Sequence, residues 1–236
     1  MRRTWLIAHR GASAHAPEST TAAIRAAVRA GADMIELDVQ MTRDGRLMIF
    51  HDERLERTTN GAGRVAAQTF AALKRLDAGA WFGRRFAGQR VLTVAQALRL
   101  IPARMGLNLE LKRTARRTRL TQALTATLRG AGRRTQVLLS SFDLRLIRPW
   151  RALAPIALIC DRQADASLAA AIRLGCAAWH PQASLVTRAR VARAHAAGLR
   201  VHAWVVDEPA RARRLLRCGV DGLFTNDPAR LRGVLR

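Results

Sequence analysis

Residues 34–52 read MIELDVQMTRDGRLMIFHD. Apolar Met34, Ile35, Leu37 and Val39 make the first half a buried strand, yet Glu36 and Asp38 lie two positions apart and so point to one face. A carboxylate removed from water costs several kcal/mol, and a second beside it adds repulsion, unless a cation, donors or water-filled space compensates. Thr42, Arg43, Asp44 and Gly45 then signal a turn, and a second apolar run from Leu47 to Phe50 ends at His51 and Asp52. An ordinary edge strand with a solvated acidic face, followed by a hairpin, would also produce this stretch. The rest of the chain decides between that and an occupied acidic cleft.

Upstream, residues 5–8 form a short apolar strand that runs into His9, Arg10 and Gly11. A loop over 13–20 carries Pro17 and Glu18, and a helix through Ala22, Ile24, Ala27 and Val28 is stopped by Gly31. Strand, helix, strand is the unit of a parallel sheet. Downstream, the pattern lapses over 52–90 into a turn-rich segment that reads as an inserted loop or small cap, with Trp81, Phe82 and Phe86 as its own small core. The alternation then resumes. Strands are expected at 106–111 (bearing Glu110 and leading to Lys112), 137–142, 156–160, 177–180, 200–206 (with Trp204) and 222–225. Helices are expected at 93–101, 118–128, 144–153, 167–174, 188–197 and 210–218, and Pro228 opens the last one. Eight strands, each followed by a helix, are the repeat of an α/β protein of the (β/α)8 TIM barrel type. An open doubly wound sheet is the alternative, but the chain has no Gly-rich dinucleotide turn after its first strand. The expected organisation is one domain over 1–236, with 52–90 inserted into it.

The formal charge is +24, from 41 Lys and Arg against 17 Asp and Glu. Such an excess invites a polyanion partner. It is nearly all Arg, however, with Lys only at positions 74 and 112, and it is scattered among alanines along helices, so no nucleic-acid partner is expected. No apolar run approaches the roughly 20 residues of a membrane span, and the run after Arg2 and Arg3 is too short for a signal-peptide core. Cys160, Cys176 and Cys218 are odd in number and in no Cys-x-x-Cys spacing, as expected of reduced apolar cysteines. A cytoplasmic protein without membrane insertion is expected.

In a barrel, His9, Glu36, Asp38, Glu110, Lys112 and Trp204 fall at or near the C-terminal ends of four strands, the face on which this fold builds its sites. Three carboxylates without Cys or a His-x-x-x-His pair favour a hard divalent cation, Mg²⁺ or Ca²⁺, over zinc. Such an ion would offset the acidic cluster and polarise a phosphoryl oxygen. Arg10 and Lys112 supply charge for the remaining phosphate oxygens, and His9 and His51 can share the proton transfers. These parts add up to metal-assisted cleavage of a phosphodiester.

The segments AHRGA (8–12), APESTTAA (16–23), MIELDVQMTRDG (34–45), FHDERLERTTNG (50–61), LDAGAWF (76–82), NLELK (108–112), LLSSF (138–142) and GVDGLFTNDP (219–228) form an ordered set. With them the chain resembles the glycerophosphodiester phosphodiesterase family, most closely its cytoplasmic bacterial members, over essentially its whole length. The resemblance implies a barrel with an insertion after the second strand unit. By matching position it implies His9 and His51 as the acid/base pair, Glu36, Asp38 and Glu110 as holders of a divalent cation, Arg10 and Lys112 facing the phosphate, and Trp204 bordering the glycerol. No helix reads as an amphipathic membrane anchor, so the expected substrates are water-soluble diesters with choline, ethanolamine or glycerol head groups, cleaved to sn-glycerol 3-phosphate and an alcohol.

One departure is visible: where the family usually has Pro-Glu-Asn-Thr, this chain has Pro17, Glu18, Ser19 and Thr20, and Ser19 is expected to cap the helix behind it. His15, His195 and His202 have no carboxylate at motif spacing and read as solvated or structural, whereas His180 ends the sixth strand and could line the pocket. A barrel phospholipase of the sphingomyelinase D or lysophospholipase D type shares the metal and two-histidine logic, but is typically secreted and disulfide-bonded. A basic nucleic-acid-binding module with a decayed site is the rival from another class, and the intact set of site residues argues against it.

Overall fold

A computed structural model describes residues 3–131 and 137–235. Its strands are β1 (Trp5–His9), β2 (Met34–Met41), β3 (Leu47–Ile49), β4 (Gly106–Leu111), β5 (Val137–Ser141), β6 (Ile156–Cys160), β7 (Ala178–Pro181), β8 (Arg200–Ala203) and β9 (Gly222–Thr225). The parallel order β1-β9-β8-β7-β6-β5-β4-β2 closes through a β1–β2 pairing into an eight-stranded barrel, and β3 is an extra strand bonded antiparallel to β2. The helices are α1 (Thr21–Arg29), α2 (Phe70–Leu73), α3 (Val94–Leu100), α4 (Arg117–Gly130), α5 (Leu144–Ile147), α6 (Ala164–Leu174), α7 (Arg188–Ala196), α8 (Pro209–Cys218) and α9 (Pro228–Arg232). Apart from α2, each follows a barrel strand, so the expected repeat is present.

Period-two alternation explains where the core lies. The outward residues Leu6, Ala8, Ile35, Leu37, Val39, Leu107, Leu109 and Leu111 pack with the helices into the main core. Inward Ile7, Met34, Leu138, Ala157, Ala178 and Phe224 form a smaller cluster inside the barrel. Burial of large apolar side chains at about 1.5–3 kcal/mol each holds the two layers together. On β2 the inward positions after Met34 are Glu36 and Asp38, buried nearly as completely as the outward Leu37 between them.

Three local expectations change. The helix expected over 144–153 ends at Ile147 and continues as a 3₁₀ turn, Arg148–Trp150, because Pro149 removes a donor and crowds the preceding turn. The strand expected over 200–206 stops at Ala203, beyond which Trp204 makes only an isolated bridge to Gln182. Between β3 and α3 the small core consists of Met48, Phe50, Leu55, Val65, Leu73, Ala78 and Val91. Trp81, Phe82 and Phe86, expected to supply it, instead stack edge-on against one another, with Trp81 41% exposed. The Asp44-Gly45 turn forms as expected, with Thr42 N–H donating to the Arg46 carbonyl at 2.9 Å. All three cysteines are free, and no described helix is long and apolar enough to cross a membrane.

Candidate active site

Neighbours in parallel register present their side chains to the same face of the sheet. The register sets His9 beside Glu36, Glu36 beside Asn108, and Asp38 beside Glu110. The β2–β4 pairing therefore gathers Glu36, Asp38 and Glu110, with one oxygen from each within 4.8 Å of the others, and closure of β1 on β2 brings His9 beside them. Lys112 Nζ donates to Asp38 Oδ1 at 2.8 Å and also to Glu110 Oε1.

The loop after β1 brings Arg10. Its backbone is left-handed (φ +56°), and so is that of Gly11 (φ +82°), where a Cβ would lie 2.7 Å from the carbonyl carbon of Ala23 in α1. This tight packing of loop on helix aims the Arg10 N–H at Glu36 Oε2, 3.0 Å away. The Arg10 guanidinium donates through Nη1 to Glu18 Oε1 at 3.0 Å, while its Nε lies 3.5 Å from Asp38 Oδ2, near enough for ion pairing but not aligned as a hydrogen bond.

Burial, with Asp38 and Glu110 as like charges, raises the Glu36 carboxyl well above its ordinary range. Burial and Asp38 push Glu110 up to about 7. Burial works in the same direction on Asp38, but Lys112 and Arg10 outweigh it and hold Asp38 below the usual carboxylate range. Among the described residues, Glu36 Oε1 and Asp38 Oδ2 are buried oxygens without a hydrogen-bond partner. Orphaned carboxylate oxygens in an all-oxygen cluster are the donor set a hard divalent cation takes, so these residues fit one.

Two histidines flank the carboxylates, and each is held through Nδ1. His9 Nδ1 lies 2.8 Å from Asn226 Oδ1. The amide is oriented by Asp207, whose Oδ2 accepts from Asn226 Nδ2 at 2.7 Å, so Oδ1 is the atom facing the imidazole and His9 must carry its proton on Nδ1. His51 Nδ1 lies 2.6 Å from Asp52 Oδ1, which fixes the same tautomer. Hydrogen bonds from Arg57 lower the Asp52 carboxyl to about 2, so it stays ionised. Burial lowers His9 to about 4, and Arg10 adds to the effect. Burial also lowers His51, although Asp38 and Asp52 pull the other way.

His9, His51, Arg10, Glu36, Glu110 and Lys112 line a cavity of about 190 Å³ together with Asn108, Phe142, Ile159, His180, Trp204 and Phe224, and Asp38 lies behind Lys112. At His51, Glu110, Lys112 and Phe142 it opens into a groove of about 950 Å³ that extends past Arg113 and Arg145. Trp204 donates its indole N–H to the His180 carbonyl at 2.8 Å and meets Phe142 edge-on.

All eight residues singled out from the sequence thus come together. His180 lines the cavity as well; its Nε2 lies 3.1 Å from His202 Nδ1, and both rings are fully buried. His202 is therefore a core residue, while His15 and His195 find distant carboxylates in Asp227 (2.9 Å) and Asp221 (2.7 Å). The expected cap at Ser19 is not made. Thr20 caps α1 by accepting from Ala23 N–H, and Ser19 sits before it with φ +62°. Sequence reasoning missed Asn226, Asp207, Arg57, Glu18 and Asn108 as supports of the site. Glu18 and Arg57 stand inside recognisable segments, but nothing local signals their pairing.

An acidic cluster, two oriented imidazoles and two cations at the C-terminal mouth of a TIM barrel define a hydrolase acting on phosphoric diesters. The profile of the Glycerophosphoryl diester phosphodiesterase family matches residues 9–230. A glycerophosphodiester phosphodiesterase of Caldanaerobacter subterraneus subsp. tengcongensis is 35% identical over 99% of this chain and 98% of its own. One of Bacillus subtilis is 33% identical over 96% of this chain and 84% of its own. The solved structure of an Oleispira antarctica phosphodiesterase in complex with the product sn-glycerol-3-phosphate superposes with a TM-score of 0.93 at 31% identity, covering 99% of this chain and 97% of that one. The chain belongs to the glycerophosphodiester phosphodiesterase family.

Proposed function

We propose that this protein hydrolyses water-soluble glycerophosphodiesters to sn-glycerol 3-phosphate and an alcohol, with a divalent cation, Mg²⁺ or Ca²⁺, held by Glu36, Asp38 and Glu110. The observation that carries the reading is the gathering of these three carboxylates between two imidazoles whose tautomers are set by acceptors behind them. When bound, the cation supplies Lewis-acid polarisation of a phosphoryl oxygen and neutralises charge in the transition state. Arg10 and Lys112 orient the other phosphate oxygens.

Neutral His9, backed by an amide, uses its free Nε2 to take the proton of the attacking water as the new P–O bond forms. His51, backed by an ionised carboxylate, is the better holder of a proton and delivers it to the departing alkoxide as the old P–O bond breaks. The 190 Å³ cavity suits the glycerol half, with Trp204 beside its carbons, and the open groove leaves the head group loosely read. Choline, ethanolamine and glycerol diesters should therefore turn over within about tenfold of one another. Residues 52–90 work as part of the same catalytic unit over 1–236, since they supply Asp52 and Arg57. Free cysteines support a reducing, cytoplasmic setting.

The test is to incubate purified protein with glycerophosphocholine and Mg²⁺ or Ca²⁺ and to measure glycerol 3-phosphate with and without chelator. Turnover abolished by EDTA and lowered by orders of magnitude in Glu36→Ala supports the reading; full activity after exhaustive metal removal refutes it. Phe142, 48% exposed at the groove, offers an apolar contact that would favour a lysophospholipid. A clear kcat/KM preference for that substrate would place the enzyme with the lysophospholipase D type instead.

A further inference from the structure

Arg57 makes four hydrogen bonds to two carboxylates. Its Nε and Nη2 donate to Asp52 at 2.5 and 3.0 Å, and its Nη1 and Nη2 donate to Glu18 at 2.9 and 2.8 Å. Each carboxylate has a second duty. Asp52 accepts from His51, and Glu18 accepts from Arg10. The guanidinium therefore joins a proton-transferring group and a phosphate-facing group that reach the site from different loops, one after β3 and one after β1.

An exposed ion pair alone contributes little. Here the arginine is half-exposed but its partners are mostly buried, with side-chain exposures of 12% for Glu18 and 26% for Asp52. The arginine is also firmly mounted: Leu55 sits in the small core between β3 and α3, and Thr59 Oγ1 donates to the Leu55 carbonyl at 2.8 Å.

We propose that Arg57 is a positioning residue that sets His51 through Asp52 and Arg10 through Glu18. The proposal rests on the roles given above to His51 and Arg10. Without Arg57, Asp52 is free to turn from His51 and release its tautomer, and Glu18 no longer fixes the direction of the Arg10 guanidinium. Lysine is a poor substitute, because a point charge cannot fork between two carboxylates.

The test compares wild type, Arg57→Met and Arg57→Lys. In ¹⁵N imidazole spectra His51 should be a single Nδ1–H tautomer in wild type and a mixture in Arg57→Met. With glycerophosphocholine, Arg57→Met should lose roughly 10- to 100-fold in kcat and gain several-fold in KM, with Arg57→Lys between. Placed on Asp52→Asn, Arg57→Met should still raise KM but lower kcat no further; placed on Glu18→Gln, it should lower kcat but leave KM alone. An unchanged His51 tautomer, or equal extra losses on both backgrounds tracking a lower Tm, overturns the proposal and leaves a structural arginine. If Arg57→Met does not fold, Arg57→Lys decides by the same readouts. Should wild type fail to hydrolyse the diester, the functional reading falls on its own, and the tautomer spectra still judge Arg57.

Discussion

Ser19 carries the clearest local conflict in the molecule. Its φ of +62° lies in the left-handed region, where a residue with a Cβ is disfavoured by about 1–2 kcal/mol and asparagine is tolerated best among them. Its hydroxyl is buried without a partner, and its N–H is spent on the Arg10 carbonyl at 2.9 Å. An asparagine at this position would answer a backbone demand rather than a capping one. Ser19→Asn should stabilise the protein by about 0.5–1 kcal/mol, a rise in Tm of roughly 1–4 °C at this chain length, read by differential scanning calorimetry. A lower Tm would mean that the larger side chain finds no room beside Phe50 and Thr58. Conformation of this kind cannot be read from the string SerThr, which suits a helix cap equally well.

Among the elements, the β1–α1 connection is the least tolerant. Gly11 is left-handed, and a Cβ there would meet the Ala23 backbone, which cannot yield as a flexible side chain would. Gly11→Ala should destabilise by at least about 2 kcal/mol in urea unfolding and lower activity through displaced Arg10; a loss under about 0.5 kcal/mol would show that α1 can shift. Strand positions were legible because alternation is written into adjacent residues: Ile35, Leu37 and Val39 outward, Glu36 and Asp38 inward. Helix 144–153 was over-extended because its apolar spacing runs on past Pro149. The fate of Trp81, Phe82 and Phe86 was not legible, since composition does not say which apolar residues of an insertion face its scaffold.

For the whole molecule, charge and protonation give two further expectations. Burial lowers His202 to about 4 and His180 well below its ordinary value, so both are neutral when folded and protonatable when unfolded. The unfolded state then binds more protons between pH 4 and 6.5, and this share of stability, complete above about pH 6.5, is lost as pH falls through that window. For His202 the loss between pH 7 and 5 is about 2 kcal/mol. Glu36 and Glu110, raised in the folded state, act with the opposite sign. The comparison is therefore between wild type and His202→Gln, whose unfolding free energy should fall less over the same range; parallel curves would contradict it. The net charge of +24 should also steer anions. At fixed metal, raising salt should lower kcat/KM more for anionic glycerophosphoglycerol than for zwitterionic glycerophosphocholine, and equal salt slopes would exclude steering. The sequence by itself determined the barrel, the eight residues gathered at its mouth and the family, because each rests on periodicity or on short motifs in which neighbours in the chain are neighbours in chemistry. Tertiary structure alone decided which groups stand behind those residues. Asn226 behind His9 is 217 positions away, Glu18 is 39 from Arg57, and His180 meets His202 across 22, pairings that exist only once the strands have come side by side.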